Sequence, residues 1–173
     1  MKKFILVSVI VIISLFNKAN AEVNVVFIDM DKIISLSKPG ASILKQLNTI
    51  NDKNSKYMKS KEQELKTKEE KLISQKNIIS ETEFRSKVDK LKIEISDYKK
   101  DRNQTITDFN KLKVNNTNKL LKMINIILVE FSKEKSISII MQKKNLVIGQ
   151  TELDITDEVI KIINSDIKEF NIK

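Results

Sequence analysis

The sequence predicts an α+β chain that is mostly helical: a long antiparallel helical hairpin, a coiled-coil arm, on a small self-associating β body, with one further helix at the C-terminus. Three observations carry this reading. The 95 residues from Ala41 to Lys135 contain no Gly, Pro or Cys. Apolar residues recur through the second half of that stretch at the alternating three-four spacing of a coiled coil. Short β-rich runs flank it on both sides.

At the N-terminus, Lys2 and Lys3 precede an apolar run from Phe4 to Phe16, followed by Ala19-Asn20-Ala21. This pattern predicts a secretory signal peptide over residues 1–21, cleaved after Ala21. The run of 13 residues is short for a bilayer span of about 20. No Cys follows the small residues, so a lipid anchor through thioether chemistry is not offered.

Val23 to Ile28 reads as one strand, ended by Asp29-Met30-Asp31. A short helical segment from Lys32 to Ser37 leads to Pro39-Gly40, read as a break before the arm. Helix one of the arm then runs from about Ala41 to Asn77 and, at 1.5 Å per residue, is on the order of 55 Å long. Its apolar residues thin from Ile43, Leu44, Leu47 and Ile50 to one in seven at Met58, Leu65, Leu72 and Ile79.

The tip lies near residues 78–84. Ser80-Glu81-Thr82-Glu83 has the spacing of a capping box, and Ile79 and Phe84 that of a hydrophobic staple. The return helix keeps a seam of Phe84, Val88, Leu91, Ile95, Tyr98, Arg102, Thr105 or Ile106, and Phe109, broken only by Arg102. Beyond Leu112 it becomes apolar, and Leu120 to Phe131 are expected to meet Ile43 to Ile50 at the base.

Ser136 to Met141 alternates polar and apolar residues and predicts a second strand. Lys143-Lys144-Asn145 reads as a turn into a third strand, Leu146-Val147-Ile148, so that strands two and three make a hairpin. A last amphipathic helix carries Val159, Ile160, Ile162, Ile163, Ile167 and Phe170, with Asp154 or Thr156 as its cap. The domain plan is therefore residues 22–40 and 136–173 as the body and 41–135 as the arm. So small a sheet seldom stands alone, which makes self-association of the body the economical solution.

Charge is concentrated on the arm. Between Lys53 and Lys113 there are 17 basic and 11 acidic residues, and the remainder of the chain after Ala21 is balanced. In an exported protein this favours anionic lipid or anionic protein as a partner, and not nucleic acid. Zero Cys and zero His remove thiol and imidazole chemistry and the usual metal ligands. With Gly40 and Gly149 as the only glycines there is no phosphate-cradling loop, hence no nucleotide. Carboxylate pairs such as Glu62 with Glu64 and Glu69 with Glu70 read as solvated helix surface, so no catalytic group, cofactor or metal is expected.

The order of parts resembles the Skp/OmpH family of periplasmic chaperones for outer-membrane proteins. The resemblance is carried by Val25-Val26-Phe27-Ile28-Asp29-Met30, by Ile137-Ser138-Ile139-Ile140-Met141 with Leu146-Val147-Ile148-Gly149, and by Leu153-Asp154-Ile155-Thr156-Asp157-Glu158. It implies a homotrimer whose strands build a central barrel, with three arms around a cavity. There an ATP-independent holdase keeps unfolded outer-membrane β-barrel proteins from aggregating. Lys59, Lys66, Lys87 and Lys99 are the candidate charged contacts to such a client, and Met58, Leu65, Leu72, Ile78, Ile79 and Phe84 the candidate apolar ones. Val25, Phe27, Ile137, Ile139, Met141 and Val147 are the candidate oligomerisation residues. The family's lipopolysaccharide-binding motif does not map residue by residue onto this arm, whose basic residues are nearly all Lys. A structural or adaptor coiled coil of the cell envelope is the alternative function.

Overall fold

The computed structural model describes residues 23–168 and residue 172. The signal-peptide segment and Phe170 lie outside the described residues. The elements are strand β1 (Val25–Ile28), helix α1 (Met30–Leu36), helix α2 (Lys38–Gln75), helix α3 (Glu81–Glu134), strand β2 (Ile139–Gln142) and helix α4 (Thr156–Asp166).

The two strands pair in parallel, Val25 opposite Ile139 through Ile28 opposite Gln142. Parallel neighbours need a crossover connection, and here the crossover is the entire helical arm. The second strand is shorter than its alternating pattern: Ser136 takes a positive φ of 53°, and the Ile137 amide bonds back to the Ser132 carbonyl. Ile137 therefore closes α3 instead of entering the sheet. The expected third strand is not formed. Lys143–Asn145 is a single 3-10 turn that carries the chain away without reversing it onto β2, and Val147 and Ile148 are 104% and 90% exposed. In place of that strand, Asp154 makes an isolated parallel bridge to Phe27.

Pro39-Gly40 lies inside α2, not ahead of it. Ser37 is the N-cap, its Oγ accepting from the Gly40 amide at 3.3 Å, and Pro39 occupies the first turn, where a missing N–H costs nothing. Gly40 is required by a close approach: a Cβ there would lie 1.9 Å from the Ile34 carbonyl oxygen. Helix α1 starts earlier than the polar Asp29-Met30-Asp31 run suggests, because Asp29 Oδ1 caps it by accepting from the Lys32 amide at 2.9 Å.

The core sits where the arm enters the body. Ile28, Ile33, Ile43, Leu47, Leu120, Ile124, Val159 and Ile163 form its centre, each worth about 1.5–3 kcal/mol of burial. This is the meeting of Ile43–Ile50 with Leu120–Phe131 that the apolar gradient predicts, completed by α4. The terminal helix begins at Thr156. Asp154, two residues earlier, accepts from the Thr156 amide at 3.1 Å and from its hydroxyl, while Thr156 Oγ1 accepts from the Asp29 amide at 2.8 Å.

Candidate functional site

The arm leaves the core as two helices with little between them. On α3 the seam runs through half-buried Phe84, Val88, Leu91, Ile95, Tyr98, Thr105 and Phe109. Thr105 holds the position that the spacing left open, since Ile106 is 48% exposed. Arg102 is exposed, as its charge demands. On α2 the facing residues are Asn54, Met58, Leu65, Leu72 and Gln75. At the base the seam accommodates buried Asn116 by returning its Nδ2 to the Leu112 carbonyl at 2.8 Å.

The tip follows the capping prediction in part. Ser80 Oγ accepts from the Glu83 amide at 3.3 Å. The return half of the box is replaced by an ion pair, Glu83 with Lys87 at 3.0 Å. Ile79 and Phe84 are half-buried, whereas Ile78 is 79% exposed.

The predicted site residues divide by which side of the seam they occupy. Met58 and Lys59 line a groove of about 700 Å³ on one flank, with Tyr98, Arg102 and Phe109. Helical spacing sets Lys66 and Lys99 on that same flank, both exposed. Leu65, Leu72 and Lys87 open onto the opposite flank. There Lys87 is tied across the arm to Gln75 Oε1 at 3.2 Å. Met58, Leu65, Leu72 and Phe84 are engaged in the seam itself, so the surface they offer a partner is partial. The six candidate oligomerisation residues split too: Val25 and Phe27 pair with Ile139 and Met141 in the sheet, the latter two 49% and 37% exposed, and Ile137 and Val147 lie outside any strand.

A feature that the sequence reading missed is the ion network across the second flank. Lys68 bonds Glu94 on the opposite helix at 2.7 Å and Glu64 on its own at 3.1 Å. Glu94, then Glu64, hold the Lys68 ammonium above its ordinary pKa. Lys68 and then Lys61 hold the Glu64 carboxyl below its own. The signal was present as Lys and Glu at positions flanking the heptad seam.

Among the described residues no group of three or more His, Cys, Asp or Glu is placed to hold a metal, and no helix is long and apolar enough to cross a membrane. The arm is a thin, cation-rich hairpin with a weakly apolar seam, based on a two-stranded sheet whose Ile139 and Met141 are partly exposed.

Fold and site thus define an α-helical hairpin protein built on a parallel strand pair. Residues 24–163 match the family described as outer membrane protein (OmpH-like). The chain belongs to the OmpH-like family. Its fold is similar to that of a Caulobacter crescentus protein described as a candidate OmpH-like outer membrane chaperone, with a TM-score of 0.79 at 14% identity, covering 86% of this chain and 88% of the other. Among curated proteins, none matches.

Proposed function

We propose that this chain is a chaperone of the OmpH-like family, a non-enzymatic, nucleotide-independent periplasmic holdase for unfolded outer-membrane β-barrel proteins. The observation that carries the reading is the arm. Exposed Lys59, Lys66 and Lys99 share a flank with a shallow apolar floor at Met58 and Phe109, a surface suited to many weak contacts with an acidic, partly apolar chain. Linked weak sites hold a client firmly yet release it. The body assembles the arms around a cavity as a homotrimer through the uncovered edge at Ile139 and Met141 and the exposed Val147-Ile148 segment, since an open apolar strand edge calls for a partner. Anionic lipid or lipopolysaccharide is a second class of ligand for the same cations.

The experiment is dilution of a urea-unfolded outer-membrane barrel into buffer with and without the chain, following light scattering. Suppression without nucleotide at equal or lower assembly-to-client ratio is expected. Unchanged scattering, with the chain folded, identifies a structural or adaptor coiled coil instead. Lys59→Glu, Lys66→Glu and Lys99→Glu together should slow capture at low salt and leave release nearly unchanged, because long-range charge acts mainly on association.

A further inference from the structure

The second flank of the arm is electrically polarised along its length. At its middle is the Lys68–Glu94 pair. Toward the tip lie Lys71, Lys87 and Lys90, and toward the base Glu64, Asp97 and Asp101, with Lys61 beside them bound to Glu64 at 3.3 Å. Among the described residues Lys71, Lys90 and Asp101 have no ion-pair partner and Asp97 meets Lys100 only at 3.7 Å, while Lys87 keeps Glu83 and Glu64 keeps Lys61 and Lys68 on exposed faces that can share a further partner. The floor between these groups is half-buried Leu65, Leu72 and Leu91.

The spacing of these charges is reciprocal about the central pair. Lys87 and Asp101 stand seven residues on either side of Glu94; Lys90 and Asp97 stand four and three from it. Lys71 and Glu64 stand three and four residues from Lys68. Lys61, seven residues from Lys68 toward the base, is matched by neutral Gln75 seven residues toward the tip, so that pair apart the surface reverses charge about its own centre and is complementary to itself when turned end for end.

We propose that this flank docks on the same flank of a second copy of the chain, the two arms antiparallel about a two-fold axis through the Lys68–Glu94 level. With that axis lying in the interface and across the arm, α2 faces α2 and α3 faces α3, each reversed. Lys87 of one copy then meets Asp101 of the other, Lys90 meets Asp97, and Lys71 meets Glu64, every contact being made twice as an isologous interface requires. Parallel docking is disfavoured by the same residues, since Lys71 would face Lys90 and Glu64 would face Asp97. Exposed ion pairs are individually weak, so the contact is reversible and salt-sensitive. It leaves the Lys59 flank open and does not rest on the chaperone reading. Its consequence is a paired resting form in which the arms shield each other's charged groove.

The test is sedimentation velocity of the full chain at about 0.01 M salt, where the Debye length is about 30 Å, and at about 1 M, where it is about 3 Å. Whatever the assembly mass at high salt, it should double at low salt. The variant K87D/K90D and the variant D97K/D101K should each keep the high-salt mass, with pairing at least tenfold weaker, while retaining parental helicity by circular dichroism. An equimolar mixture of the two should regain the doubled mass. K59D/K99D, on the other flank, should double as the parent does. A parental mass independent of salt, doubling by either groove variant alone, or a mixture that fails to pair overturns the proposal. Failure to protect a client in the scattering assay does not bear on it.

Discussion

The backbone amide of Asp29 donates to Thr156 Oγ1 at 2.8 Å, joining residues 127 positions apart. Both ends of the bond have a second duty: Asp29 caps α1 through its carboxylate, and Thr156 opens α4 while bonding Asp154. One hydroxyl therefore sets where the first strand stops, where the first helix starts and where the last helix docks. Thr156 is only 2% exposed, so nothing in solvent can substitute for it.

Thr156→Val keeps the shape and removes the acceptor, leaving the Asp29 amide without its bond. A loss of about 1–3 kcal/mol is expected, the range for an orphaned buried donor. Urea denaturation followed by circular dichroism measures it, and a change under a few tenths of a kcal/mol would remove Thr156 from this role.

Acid should loosen the same junction. Burial works to raise the Asp154 pKa, but bonds from Lys143 and from the Thr156 hydroxyl and amide outweigh it, so the carboxyl lies below its ordinary value of 3.8. A group depressed in the folded state contributes stability that is fully present above its unfolded value and is lost as pH falls through the folded one. Asp154→Asn should then be less stable than the parent at pH 7, and the gap should close as pH falls below about 3.8. Parallel denaturation curves at the two ends of that range check it.

Gly40→Ala probes the joint between α1 and α2. The added methyl carbon would meet the Ile34 carbonyl oxygen at 1.9 Å, which backbone movement must relieve. Overpacking of this kind costs about 1–3 kcal/mol, although Ala is ordinarily the better helix former. A stabilised variant in thermal melting would show that the joint is slack.

Ser80→Ala should act only at the tip. Loss of the cap costs about 1 kcal/mol, and the tip is far from the core at Ile33, Ile124 and Ile163. Amide exchange over Ile79 to Phe84 should quicken while exchange in the body holds steady. Equal exchange at the tip of both proteins would contradict the capping assignment.

What the sequence revealed and concealed follows from the range of the interactions. The α3 seam, the Ser80 cap and the apolar base are legible because helical periodicity and capping are local. Pro39-Gly40 reads as a break because the same dipeptide serves a turn and a helix first turn, and only the packing of Gly40 on Ile34 decides between them. Leu146-Val147-Ile148 has strand composition, but composition does not say whether a partner lies in the same chain, and here no described strand adjoins it. Asp154-Ile155-Thr156 reads as a helix start, but the N-cap is Ile155, without a side-chain cap bond, and not Asp154 or Thr156; the bond of Thr156 to Asp29 spans the whole arm and leaves no sequence signature. Of the candidate site, the Lys excess was visible at once. Its division between two flanks became visible only when the helices were set side by side.

The parallel pairing of β1 with β2 across the arm also fixes an order of events in biogenesis. Val25–Ile28 is made first and Ile139–Gln142 only after the whole hairpin has followed. Helices form in about a microsecond, so the hairpin can zip as soon as its second limb emerges and deliver β2 to β1 with the intervening loop already closed. A lesion in the seam should for that reason be felt as delayed maturation of the body, at a distance from the residue changed.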